Sequence, residues 1–153
     1  MLADTLAAES RSFVATLPQI TEIDRWVEQV CAEWSTPEAV VFRARVCLAE
    51  LAANLLEHGR AQADWDEISI TLRPGGPTLE IEISDTGRAF DPSRAFDPAA
   101  NPGKSGGHGL RLLHAYTAAM TYRREGGRNI LWLRVAPVSR SPAPDPWDQK
   151  PPS

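Results

Sequence analysis

The apolar period of this chain changes abruptly after Gly59, and that change limits the folds open to it. From Glu38 to His58, the residues Val41, Ala44, Leu48, Leu51 and Leu55 recur at alternating steps of three and four, the spacing of one buried helical face. Gly59 is a natural C-terminal stop for such a helix. From Ile68 the period falls to two. Ile68, Ile70 and Leu72, then Leu79, Ile81 and Ile83, alternate with polar residues on either side of Pro74-Gly75-Gly76-Pro77, which predicts an antiparallel hairpin with one apolar face. A long amphipathic helix and a one-faced hairpin each leave an apolar surface that must be covered, and each can cover the other.

The remaining segments extend the same plan. Phe13, Ala15 and Leu17 alternate and predict a strand over 11–17, stopped by Pro18. Ile20, Ile23, Trp26, Val27, Val30 and Trp34 return to helical spacing, and Ser35-Thr36-Pro37-Glu38 closes that helix and opens the long one. A third helix is expected from Gly109 to Met120, followed by a hairpin of Thr121–Glu125 and Arg128–Ala136 about Gly126-Gly127. The order strand, helix, helix, strand, strand, helix, strand, strand implies an α+β two-layer sandwich. Its sheet would be mixed but mostly antiparallel, with helices on one face. Residues 85–107 carry no period and contain Pro92, Pro98 and Pro102; so long an irregular connection is a candidate functional lid. Six of the thirteen prolines fall from Pro137 onward. The chain therefore divides into an arm, 1–10, a domain, 11–136, and a flexible proline-rich tail, 137–153.

A chain of 153 residues has the length of one domain with room for a tail. Its net charge of −4 supplies no general field for nucleic acid or an anionic membrane. The charge is uneven. Glu28 to Glu67 holds eight acids against Arg43, Arg45 and Arg60, whereas Asn101 to Arg128 holds Lys104, Arg111, Arg123, Arg124 and Arg128 against Glu125. The second stretch attracts anions locally, or is a solvated basic face. Cys31 and Cys47 lie within apolar helical patterns and read as buried thiols of a reducing compartment. The first nineteen residues fit neither a signal peptide nor a membrane span, so a cytoplasmic protein is expected.

Three places carry chemistry. Glu50 and Asn54, four apart on the long helix, share a face beside the apolar stripe. A carboxylate there can accept a hydroxyl proton and an amide oxygen can ligate Mg²⁺; the same pair also suits a solvated flank. Asp85 ends a strand before Thr86-Gly87, where it can accept from an amino group on a base or form an ordinary Asx turn. Gly106-Gly107-His108-Gly109 precedes a helix, an arrangement suited to phosphate. Lys104-Ser105 lacks the leading glycine of a P-loop, and no dinucleotide glycine pattern is present.

In order and spacing, Glu50-Leu-Ala-Ala-Asn54-Leu-Leu-Glu-His58-Gly59, Asp85-Thr-Gly87-Arg-Ala-Phe90-Asp91-Pro92 and Gly106-Gly-His-Gly109-Leu110 resemble the three boxes of the Bergerat ATP-binding fold. That superfamily joins gyrase, histidine kinases and mismatch-repair ATPases. The Phe-Asp-Pro ending, the Asn-x-x-x-His-Gly run and the compact size resemble the bacterial anti-sigma factor serine kinases (RsbW/SpoIIAB-like). The resemblance implies ATP and Mg²⁺ as cofactors. It makes Glu50 the catalytic base toward a protein serine and Asn54 the Mg²⁺ ligand. Asp85 would meet the adenine amino group, with Gly87, Phe90 and Asn129 about the base. Lys104, Gly106, Gly107, His108, Gly109 and Leu110 would serve the phosphates. Two positions depart from the family, His108 where many relatives have Arg and Asn129 where others have Thr. The implied partners are a sigma factor and an anti-anti-sigma (STAS) protein that receives the phosphate. A homodimer is also implied, and direct contact with nucleic acid or membrane is not. The alternative is a binding module that uses nucleotide to hold a partner without transferring phosphate.

Overall fold

Among the described residues alternating apolar positions build one five-stranded sheet, and helical repeats build the layer that covers it. The computed structural model describes residues 7–14, 16–59, 67–92 and 108–137. Along the chain these form β1 (Glu9–Val14), α1 (Leu17–Glu33), α2 (Glu38–Gly59), β2 (Glu67–Gly75), β3 (Thr78–Asp85), α3 (His108–Tyr116), β4 (Ala119–Glu125) and β5 (Arg128–Val135). The sheet order is β1-β2-β3-β5-β4. Every pairing among these strands is antiparallel, so the α+β expectation holds and the mixed character of the sheet does not. Among the described residues β4 runs parallel to β3 but does not pair with it, because the β4–β5 hairpin places β5 between them.

The core lies between the helices and one face of the sheet. Ile68, Ile70, Leu72, Leu79, Ile81, Ile83, Leu131, Leu133 and Val135 supply the strand side, and Ile23, Val27, Val30, Ala44, Leu48, Leu51 and Leu113 the helix side. Phe13 of β1 meets Trp26 of α1 edge to face, with ring centroids 5.6 Å apart. Cys31 and Cys47 are buried free thiols. Burial pushes the Cys47 thiol up to about 12 and raises that of Cys31, so both are neutral core residues.

Three sequence expectations shift. Leu17 belongs to α1 rather than to the first strand, which spans Glu9–Val14. Pro18 is the cause: its fixed φ suits the first helical turn and starts the helix instead of merely ending the strand. The buried stripe of α2 is also rotated. Val40, Cys47, Ala52 and Leu56 are buried with Ala44, Leu48 and Leu51, while Val41 and Leu55 are half-buried. A helix laid on a sheet and flanked by other helices buries more than one narrow row. Met120 is in β4, not in the third helix. That helix ends at Tyr116, where the Thr117 hydroxyl donates to Leu113 O (2.8 Å) and Ala118 N donates to Arg134 O (2.7 Å), committing the chain to the sheet.

Between α1 and α2, Ser35 adopts φ 51°. Its N–H reaches Ala32 O (3.2 Å) and that of Thr36 reaches Cys31 O (2.9 Å), the two bonds of a Schellman closure made without glycine. The β4–β5 turn uses Gly126 and Gly127 at φ 57° and 76°, the left-handed pair that a tight two-residue hairpin requires.

Candidate functional site

The site grows out of one row of the sheet. β3 and β5 align Leu79 with Val135, Ile81 with Leu133, Ile83 with Leu131 and Asp85 with Asn129. Side chains alternate along a strand, so these inward residues form a single row whose last pair is polar. Asp85 and Asn129 are 4% and 5% exposed and are the buried polar residues among those described. Groups so placed require hydrogen-bond partners.

Most of those partners are supplied by the protein. Asp85 Oδ1 accepts from Gly87 N (2.8 Å) and from Asn129 Nδ2 (3.0 Å); the first bond is an Asx turn. Asn129 Nδ2 also donates to Arg88 O (2.7 Å), with a longer approach to Gly87 O (3.4 Å). Asn129 Oδ1 accepts from the Tyr122 hydroxyl (2.6 Å), Arg124 Nη1 (3.0 Å) and Phe90 N (3.3 Å). Arg124 donates further to Gly87 O (2.9 Å) and Gly127 O (3.3 Å). Among the described residues, Asp85 Oδ2 takes part in none of these bonds. Asp85 thus forms the Asx turn through Oδ1.

That carboxylate lies at a pocket partly open to solvent. Leu51, Asn54 and Leu55 of α2 line it, with Ile83 and Asp85 of β3, Phe90 and Pro92 of the following segment, Tyr122 of β4, and Asn129 and Leu131 of β5. Apolar walls with a few convergent polar atoms suit a flat heteroaromatic ring that offers a hydrogen-bond donor. Asn54 adds an amide oxygen, a hard ligand of the kind Mg²⁺ accepts alongside waters and phosphates. Among the described residues no group of three or more His, Cys, Asp or Glu could hold a metal.

The structure brings together Asn54, Asp85, Phe90 and Asn129, and ties the Gly87 backbone to them. Glu50, half-buried one turn before Asn54 on α2, is not among the lining residues. Lys104, Gly106 and Gly107 lie outside the described residues. His108, Gly109 and Leu110 form the first turn of α3, and their side chains lie outside them too, as does that of His58. The expected lid begins with residues fastened to the sheet, since Gly87, Arg88 and Phe90 all bond to Asn129 or Arg124. Residues 93–107 of that segment are outside the described set.

Sequence reasoning missed Tyr122 and Arg124, along with the apolar walls Leu51, Leu55, Ile83, Pro92 and Leu131. The signal was the parity of β4. Tyr122 pairs with Leu131 and Arg124 with Asn129, so both lie on the row that faces the helices. An arginine in that row needs acceptors, and the adjacent strand end supplies them.

This fold and pocket define an ATPase-type domain. Residues 13–135 match the histidine kinase-like ATPase domain family, and the chain belongs to that family. Serine/threonine-protein kinase BtrW of Bordetella bronchiseptica is 29% identical over 122 residues, which cover 77% of this chain and 86% of that protein. The crystal structure of the RsbU and RsbW domains of Rv1364c from Mycobacterium tuberculosis is similar with a TM-score of 0.59 and 14% identity. The similarity covers 85% of this chain and 32% of that one. The chain thus spans about a third of that longer protein, and at this identity the likeness shows the fold alone.

Proposed function

We propose that this protein is an ATP- and Mg²⁺-dependent serine kinase of the anti-sigma factor type, which binds a sigma factor and phosphorylates a serine of an anti-anti-sigma (STAS) partner. The observation that carries the reading is the buried Asp85 carboxylate, one oxygen fixed by Gly87 and Asn129 and the other left at an apolar pocket. An acceptor in such surroundings selects a ring bearing an amino group, because a ring without one would leave the oxygen dry and unpaired. Membership of the histidine kinase-like ATPase family and the likeness to a serine/threonine-protein kinase support the same reading.

In this scheme Leu51, Leu55, Ile83 and Leu131 cover the faces of the base, Asp85 Oδ2 accepts its amino hydrogen, and Asn54 holds the metal. ATP brings the phosphoryl group, and Mg²⁺ neutralises charge on the phosphates. Glu50 would accept the proton of the attacking serine hydroxyl as the new phosphorus–oxygen bond forms and the bond from the γ-phosphorus to the β,γ-bridging oxygen breaks, with ADP as the leaving group. Its place beside the pocket wall rather than in it suits a base that meets an incoming protein. His108, Gly109 and Leu110, at the start of α3, together with Lys104, Gly106 and Gly107, serve the phosphates through backbone N–H groups and local positive charge. A domain comprising 11–136 with a short arm and a dispensable tail, acting in the cytoplasm as a homodimer, completes the proposal. No described helix is long and apolar enough to cross a membrane.

The test is transfer of γ-labelled phosphate from ATP to a partner co-purified with the protein. Glu50→Gln is expected to lower transfer by about 10²–10⁴-fold, the usual worth of a general base, with ATP affinity within about threefold of the parent. If the parent transfers no label while ATP still tightens partner binding, the kinase reading falls and the nucleotide-gated binding module replaces it.

A further inference from the structure

Resting on the nucleotide reading above, we propose that Asn129 is a positioning residue that sets the pocket's preference among purines, acting through Asp85 without touching the ring. The argument starts from capacity. A side-chain amide has two N–H donors and two acceptor lone pairs. In Asn129 the donors go to Asp85 Oδ1 (3.0 Å) and Arg88 O (2.7 Å), and the shortest bonds to the acceptor come from the Tyr122 hydroxyl (2.6 Å) and Arg124 Nη1 (3.0 Å). Nothing is left over for a ligand, although Asn129 lines the pocket.

The orientation of the amide is also determined. Turned over, its NH₂ would face a guanidinium and the Phe90 N–H, while its oxygen would face a carboxylate and a carbonyl. Tyr122 and Arg124 therefore lock Asn129, and Asn129 together with the Gly87 N–H locks one oxygen of Asp85. The consequence falls on Oδ2. It is held in a fixed direction at the pocket and is the acceptor that the lock leaves available. A threonine at this position has one hydroxyl and cannot span Asp85 on one side and Tyr122 with Arg124 on the other. Asp85 would then rotate, and the pocket would lose its means of telling a 6-amino purine from one without that group.

The experiment measures calorimetric affinity for ATP and for purine riboside triphosphate, which lacks the 6-amino donor. Thermal unfolding accompanies each variant to show that it is folded. The parent is expected to favour ATP by at least about tenfold, the effect of one buried acceptor left unpaired. Asn129→Thr should weaken ATP by about tenfold, leave the analogue within about threefold and so erase most of the preference. A purely structural role would weaken both nucleotides alike. Tyr122→Phe removes only the hydroxyl that locks the amide, and should reduce the preference by about threefold. If Asn129→Thr does not fold, Tyr122→Phe decides, and an unchanged preference there overturns the proposal. In an Asp85→Asn background, Asn129→Thr should have no further effect on the preference; a further loss would mean that Asn129 contacts the ring itself. A parent that binds neither nucleotide overturns this proposal together with the nucleotide reading. A parent that prefers ATP while both variants keep that preference overturns this one alone.

Discussion

The two ends of the β3–β5 ladder are built from the same strands in the same register and do opposite things. At one end Leu79, Ile81 and Ile83 face Val135, Leu133 and Leu131, each buried to within a few per cent of full coverage. Every such side chain removed from water stabilises the fold by about 1.5–3 kcal/mol. At the other end the next pair is Asp85 and Asn129, equally buried but polar. Their burial is favourable only because Gly87, Arg88, Tyr122 and Arg124 supply bonds, and the arrangement still leaves Asp85 Oδ2 without one among the described residues. Along a single row the apolar pairs hold the sheet, and the polar pair is the one to which the proposed nucleotide reading assigns recognition.

The largest expected effect lies at the apolar end. Ile81 is fully buried at the centre of the sheet, and Ile81→Ala should destabilise the domain by about 2–5 kcal/mol through lost burial and the cavity left behind. Chemical denaturation measures it. The folded fraction should bind ATP as the parent does; a specific loss of affinity would blur the division. Asp85→Asn, at the polar end, is expected to show the reverse pattern. Its oxygen can keep the bonds from Gly87 and Asn129 while its NH₂ takes the place of Oδ2 and opposes the amino group of the base. ATP affinity should fall by about 1–3 kcal/mol, with little change in unfolding. If stability falls instead and affinity holds, Asp85 belongs to the structural end.

The fold was more legible in the sequence than the site, for a physical reason. Periodicity reports burial, and the alternation of Ile68 to Leu72 and Leu79 to Ile83 placed that hairpin with its apolar face inward, as the structure has it. It failed at Leu17 and Met120, where Pro18 and the Thr117 bond decide between elements that both suit an apolar residue. It also blurred the α2 stripe, because Cys47 and Ala52 do not stand out as core residues by type. In the site, Asp85 and Asn54 were accessible through motif spacing, whereas Tyr122 and Arg124 matter through a pairing between strands that motif spacing does not encode. Asn129 was visible only as a departure from a family pattern, and its six hydrogen-bond contacts emerge once β5 lies beside β3.

The smallest effect sharpens the comparison from outside the ladder. Asp24 of α1 accepts two bonds from the Arg45 guanidinium of α2, at 2.8 and 2.7 Å, and Glu28 stands 3.8 Å from the same guanidinium. The bond to Arg45 holds the Asp24 carboxyl below its ordinary value of 3.8, against a smaller opposing push from burial. A group whose pKa is depressed on folding adds stability above its unfolded pKa and loses it as pH falls through the folded value. The pair therefore helps to hold α1 on α2 near neutrality and stops helping in acid below that value. Its side chains are 38% and 37% exposed, so solvent screening limits the contribution to less than about 1 kcal/mol. Asp24→Asn should accordingly unfold slightly more easily than the parent near pH 7, and the gap should narrow at an acid pH well below the ordinary value of 3.8, where the folded carboxyl also protonates. Denaturant titrations at the two pH values measure this. Because the pair lines the groove between α1 and α2 with Ile20, Val27 and Leu48, and shares no residue with the pocket at Asp85, ATP affinity should be unchanged. A loss of ATP affinity of more than about threefold in Asp24→Asn would mean that the helix layer and the polar end of the ladder are coupled, beyond what independent sites allow.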